Sequence, residues 1–249
     1  SALGPSAEET EEFQRTARFV FGSGPFSLLT ESLSAKNFKP VRAAAKTLGF
    51  TVNDLFMASL ALAWYRVCGM DRVVLPCTID MRNFIPLRAL RGITNLSSDC
   101  PCLIQITPDD TLEDIMAKVV EPMKVYKQGT CAVSKSVSWE IFTRRVSFRR
   151  AKQRCQDRSV PQPLSATNVG IIDEDCVRFS NVSVRSAYLF APAPPFLSYL
   201  IALSTFRGEL TLSTSIEGDE EMKAFARSIL TAMIEELMAF GSRHSAGSG

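Results

Sequence analysis

Apolar positions recur at helical spacing along the first half of the chain and alternate with polar ones along much of the last third. Phe38, Val41, Ala45 and Leu48 share one face of a helix predicted over about 37–48, with Pro40 in its first turn and Gly49 just past its end. Thr51, with Asp54 three residues on, marks the start of a second helix, 52–67, which Gly69 closes. Leu55, Phe56, Met57, Leu60, Leu62 and Trp64 make that helix apolar on almost every side, so it belongs in the centre of the fold. Residues 73–79 and 102–106 read as strands, and Pro76 places the first at an edge or a bulge. Thr111 caps a further helix through Leu112, Ile115, Met116, Val119, Met123 and Tyr126, which Pro122 should kink. Residues 130–158 are ambiguous, although Trp139, Phe142 and Val146 suggest a helix.

From Leu164 the texture changes to strands, with 164–172 and 177–190 as candidates. Residues 198–206 and 209–216 form the clearest hairpin, turning at Arg207-Gly208. In its second strand Leu210, Leu212, Thr214 and Ile216 face one way and Thr211, Ser213 and Ser215 the other. A last amphipathic helix carries Met222, Phe225, Ile229, Met233, Leu237 and Phe240. Helices at both ends and between strands, followed by a run of strands, predict an α/β (α+β) fold: a mixed sheet with helices packed on it. Residues 1–25 read as an acidic tether, 26–241 as the folded body and 242–249 as a disordered tail.

Composition narrows the function classes. The 28 basic and 26 acidic residues leave a net charge of +2, so nothing global draws the chain to nucleic acid or to an anionic membrane, and local charge must be read separately. No apolar stretch is long enough to span a bilayer, and the N-terminal residues lack a signal-peptide pattern. The seven cysteines are scattered and odd in number, which fits a reducing cytosol and not a disulfide framework.

Candidate chemistry is sparse. A phosphate-binding glycine loop, a dinucleotide fingerprint and a Gly-x-Ser-x-Gly elbow are all missing from the sequence. The single histidine, His244, lies beyond the last good helix position and next to a Gly/Ser tail, where a general base could not be held in place. Cys100-Pro101-Cys102 has the wrong spacing for zinc and no second ligand pair, so both thiols read as small core groups on one side of a strand. The basic run Arg144, Arg145, Arg149, Arg150, Lys152, Arg154 and Arg158 reads as a solvated helix face or loop, with a grip on cofactor phosphates or an acidic partner as the alternative. It lacks the interleaved aromatics of a single-strand nucleic-acid site. Ser165-Ala166-Thr167-Asn168-Val169-Gly170 is a polar stretch inside a strand; it either lines a ligand channel or marks a bulge at Gly170.

Several segments, in order, resemble the C-terminal lobe of the condensation-domain and chloramphenicol-acetyltransferase-like superfamily. Thr51-Val52-Asn53-Asp54-Leu55 resembles its helix start, Ile79-Asp80-Met81-Arg82 its strand-then-arginine segment, and Gly92-Ile93-Thr94-Asn95-Leu96 its glycine–asparagine stretch. Ser165 to Gly170 resembles its "S-N-x-G" strand, and the hairpin through Leu210-Thr211-Leu212-Ser213 with the last helix completes a likeness covering roughly 37–240. The resemblance implies one lobe of a two-lobed fold whose "H-H-x-x-x-D-G" base is supplied by the other lobe and is not in this sequence.

The implied function is acyl transfer from a thioester to an amine or alcohol, as in nonribosomal peptide synthesis, with this chain inactive alone. Asn95, Ser165, Thr167 and Asn168 would face the channel between lobes, with Ser213 and Ser215 secondary, and none of them catalytic. Acyl-coenzyme A or a phosphopantetheine thioester would be substrate, with no tightly bound cofactor and no metal. The implied partners are the N-terminal lobe or a second copy, with an acyl carrier domain as a further candidate; nucleic acid and membrane are not expected. Two other readings stay open: a non-catalytic scaffold that self-associates through the face the missing lobe would cover, and an enzyme using an unidentified cysteine or carboxylate.

Overall fold

The computed structural model describes residues 24–84, 96–128, 131–157, 164–190 and 199–245. Along the chain these form β1 (Phe26–Leu33), α1 (Ala35–Thr47), α2 (Val52–Cys68), β2 (Arg72–Asp80), β3 (Ser97–Gln105), α3 (Leu112–Gln128), α4 (Cys131–Arg145), α5 (Phe148–Asp157), β4 (Ser165–Ile171), β5 (Leu200–Phe206), β6 (Glu209–Glu217) and α6 (Glu220–Ser245). Short 3-10 turns follow β2 at Met81–Phe84 and β4 at Glu174–Val177.

Helix α2 lies where its all-round apolar surface requires. Residues 54–64 are buried without a break, and the helix packs against α6, α3 and β2. Its N-terminus is fixed by a complete capping box. The Asp54 amide donates to Thr51 Oγ1 at 3.2 Å, and the Thr51 amide donates to Asp54 Oδ2 at 2.8 Å. Gly69, in the left-handed region at φ +66°, ends it. Trp64 is fully buried at the centre, with ring centroids 6.0 Å from Tyr199 and 5.9 Å from Phe225.

The main sheet has the order β1-β6-β5-β4; β4 and β5 run parallel and the other pairs antiparallel, so the sheet is mixed as expected. Leu29, Leu33, Ala166, Ile201, Leu203, Leu210, Leu212 and Ile216 supply its core face. Helices α1 and α6 cover that face. A second sheet pairs β2 with β3, and its register sets Pro76 opposite Pro101, two residues with no N–H to contribute to a ladder.

Five expectations change. Strand β1 went unpredicted because its inward positions, Ser27, Leu29, Glu31 and Leu33, alternate only weakly in polarity. Residues 131–157 are two helices. The strand expected over 177–190 does not form: the only pairing there is a bridge between Phe179 and Val182, and the segment instead bonds to side chains of the sheet. Pro40 lies in the second turn of α1, because Ser34 caps the helix two residues earlier than predicted. Helix α6 also continues to Ser245, so residues 242–245 are helical and not a loose tail.

Two substitutions probe this packing. A Cβ on Gly241 would sit 2.7 Å from Val41 Cγ2, so Gly241→Ala is expected to force α6 from α1 and cost about 1–3 kcal/mol. Thr51→Ala removes one half of the capping box and is expected to cost about 1 kcal/mol. Urea unfolding should show both as a lower midpoint with an unchanged slope.

Candidate functional site

Strand β4 ends the main sheet, and β2 packs beside it. Three elements meet there. Thr78 of β2 donates through Oγ1 to the Ala166 carbonyl at 3.3 Å, which ties the second sheet to the first. Asn168 Nδ2 donates to Asn53 Oδ1, in the first turn of α2, at 3.4 Å. Because Thr51 and Asp54 already cap α2, the Asn53 amide is free to face the strand.

The local backbone explains how Asn168 is presented. The register of β4 against β5 skips between Asn168 and Gly170, a bulge of the kind foreseen at Gly170. Asn168 Oδ1 accepts the Gly170 N–H at 2.9 Å, and Gly170 adopts φ +80°, which a side chain would resist. Asn168 is therefore locked by its own turn and by α2 together. Asn53 and Asn168 are half-buried and Thr78 is exposed; together they offer amide and hydroxyl donors and acceptors but no titratable group.

The predicted site residues do not converge on one spot. Strand alternation puts Ser165 and Thr167 on the face of the sheet opposite Asn168, with Thr167 aligned to Ala202 and Asn168 to the core residue Leu203. Ser213 and Ser215 lie on the same face as Thr167, but on β6, across β5 from β4. They do not meet water as a free polar face, because both are buried. The segment 178–190 lies over them: Ser213 Oγ donates to the Leu189 carbonyl, and the Leu189 amide donates to Ser204 Oγ at 3.4 Å. Ser32 and Thr211 pair their hydroxyls at 3.1 Å on this face as well. Asn95 lies outside the described residues. Sequence reasoning named Asn53 only as part of a helix start and passed over Thr78; the pairing of Asn53 with Asn168 spans 115 positions, which no local pattern reveals.

Two titratable sites bear on catalysis. His244 is not frayed: its Nε2 lies 2.8 Å from Glu113 Oε1, its ring stacks 4.8 Å from Phe240, and Arg243 donates to Glu113 Oε2 at 3.1 Å. The imidazole thus serves to join α6 to the start of α3, and none of the β4 candidates is among these partners. Burial pushes the Cys68 thiol up to about 12, so it stays protonated and is a poor nucleophile. Cys102 is fully buried as a core group.

No protein-family model and no curated protein sequence matches the chain. Solved structures do. The epimerization domain of the third module of tyrocidine synthetase B superposes with a TM-score of 0.58 at 15% identity, over 98% of this chain and 57% of that one. The TRI3 trichothecene 15-O-acetyltransferase of Fusarium sporotrichioides gives 0.61 at 16% identity, over 94% and 52%. The EpoB cyclization-docking bidomain of Sorangium cellulosum gives 0.60 at 14% identity, over 95% and 49%. The fold is that of condensation domains and their acyltransferase relatives. The chain spans about half the length of these condensation-fold structures.

Two measurements test the local account. Gly170→Ala must hold a left-handed backbone in otherwise open space, and is expected to cost about 1 kcal/mol by urea unfolding. For Glu113, burial alone would raise the carboxyl, but the His244 hydrogen bond and the Arg243 charge hold it below its usual range. A depressed folded-state pKa gives stability above the unfolded value that is lost as pH falls through the folded one. Glu113→Gln is therefore expected to cost about 0.5–1 kcal/mol above about pH 5, and the gap should close below about pH 4.

Proposed function

We propose that this chain is the C-terminal half of a thioester-dependent acyltransferase or peptide-synthetase condensation domain. In this reading it positions an acyl thioester or its acceptor, and a second half supplies the proton acceptor. The observation that carries the reading is the Asn53–Asn168 pair on β4, the last strand of the main sheet, beside the Thr78 contact. A pair of carboxamides held by a capped helix and a bulged strand can donate to a carbonyl oxygen and accept from an N–H or O–H at once. Holding a substrate in a reactive pose needs such groups and no change in their protonation. The substrate would be acyl-coenzyme A or a carrier-bound phosphopantetheine thioester, and the base would come from an "H-H-x-x-x-D-G" segment on the second half.

A second reading rests on a separate observation. Phe26 and Leu28 on β1 are 59% and 53% exposed, at the other edge of the sheet. Two copies could bury them against each other, making a non-catalytic assembly. A monomer in sedimentation at micromolar concentration would count against this second reading.

Offered acyl-coenzyme A with a panel of amines and alcohols, the chain alone is expected to form no acyl product. Joined to a half carrying "H-H-x-x-x-D-G" from its own upstream reading frame, it is expected to turn over. In the joined protein Asn168→Ala should lower kcat/KM about tenfold, the scale of one lost positioning hydrogen bond. Turnover by the chain alone, or an Asn168→Ala variant as active as wild type, would sink the proposal.

A further inference from the structure

The basic run of the sequence folds into a projecting pair of helices whose outer surface combines cations with exposed apolar side chains. Helix α5 packs on little besides α4, and α4 reaches the body through β3 and the 3-10 turn after β2. On α4 the spacing i, i+4, i+7 and i+8 sets Val137, Ile141, Arg144 and Arg145 on one exposed face. Val137 is 50% exposed and Ile141 45%, while Phe148, the first residue of α5, is 84% exposed. Arg149, Arg150 and Lys152 follow it, all exposed. Arg144 pairs with Glu140 at 2.7 Å, but Arg145, Arg149, Arg150 and Lys152 make no ion pair among the described residues. Arg158 lies outside those residues.

We propose that this outer face of α4 and α5 docks on an anionic lipid bilayer, lying on the membrane and not crossing it. Charge alone would suit any polyanion. The apolar members select among them: Phe148, Ile141 and Val137 are exposed along with the cations, where an acyl boundary can take them in and a nucleic-acid backbone cannot. The patch thus mixes exposed cations with exposed aliphatic side chains and one protruding aromatic. Arginines beside the inserted groups would bind the phosphates and carboxylates of the headgroup layer, and the attraction falls off within a Debye length. No single helix among the described residues is long and apolar enough to cross a membrane, and α2, the most apolar, is spent on the core. The whole-chain charge balance, which gave no reason to expect a membrane, averages this patch away.

The test is co-sedimentation of the full chain with vesicles of phosphatidylcholine alone or with about 30% phosphatidylserine. The chain is expected to pellet with the anionic vesicles only, and to be released by raised salt. Arg149→Glu with Arg150→Glu should reduce the bound fraction about tenfold, and Phe148→Ser about threefold. All three positions are exposed, so an unchanged thermal midpoint would separate lost docking from lost folding. No pelleting with phosphatidylserine vesicles, or pelleting indifferent to the charge reversal, overturns the proposal. So does equal retention on soluble polyglutamate that ignores Phe148→Ser, which would assign the patch to acidic proteins instead.

Discussion

A helix with no polar side cannot rest on a surface, and α2 is such a helix. Its burial on every side obliges α6, α3 and β2 to surround it, and its aromatic centre, Trp64, fixes Tyr199 and Phe225 around one point. The capping box matters for the same reason: a buried helix end with unsatisfied amides would cancel part of what the apolar contacts contribute. With α2 seated, α6 packs on both it and the main sheet, and the N-terminal turn of α2 arrives beside β4. The candidate site is thus a by-product of where the core helix must begin.

The main sheet has unlike faces, and the difference organises the rest of the surface. One face is aliphatic and covered by helices. The other carries Ser204, Thr211, Ser213 and Ser215, small groups that let the 178–190 segment lie close and bond through its backbone. Ser204 and Ser213 are satisfied by the Leu189 main chain and Thr211 by Ser32, so these hydroxyls are not spare for catalysis. On β4 Asn168 is only half-buried, which is why the functional argument rests on it and not on the more numerous buried serines.

Much of the architecture was legible because it depends on local pattern. The all-apolar α2, the helical spacing of α3 and α6, and the hairpin turning at Arg207-Gly208 follow from periodicity and turn chemistry within a few residues. What was hidden depends on distance along the chain. Strand β1 makes sense only beside β6, and the pattern of 177–190 resembled a strand until the sheet beneath it proved to offer hydroxyls instead of a free edge. The site shows the same division. The bulge at Gly170 was readable; the partner of Asn168 was not, and adjacent polar residues on a strand were grouped although alternation sends them to opposite faces. His244 was misplaced because composition near a terminus says nothing of a carboxylate waiting on another helix.

The pairing of β1 with β6 also constrains how the molecule is made. The first described strand takes as its neighbour one of the last, and β6 in turn joins β1 to β5 and, through it, to β4. A chain emerging from the ribosome therefore carries β1 without its mate until β6, at 209–217, has appeared. Helices α1 and α2 can form early from local contacts, but their apolar faces must wait for a sheet that the late strands complete. During synthesis this interval is when Leu29, Leu33 and the surface of α2 are open to the wrong partner, so the yield of folded protein rests on holding that interval short or shielding it.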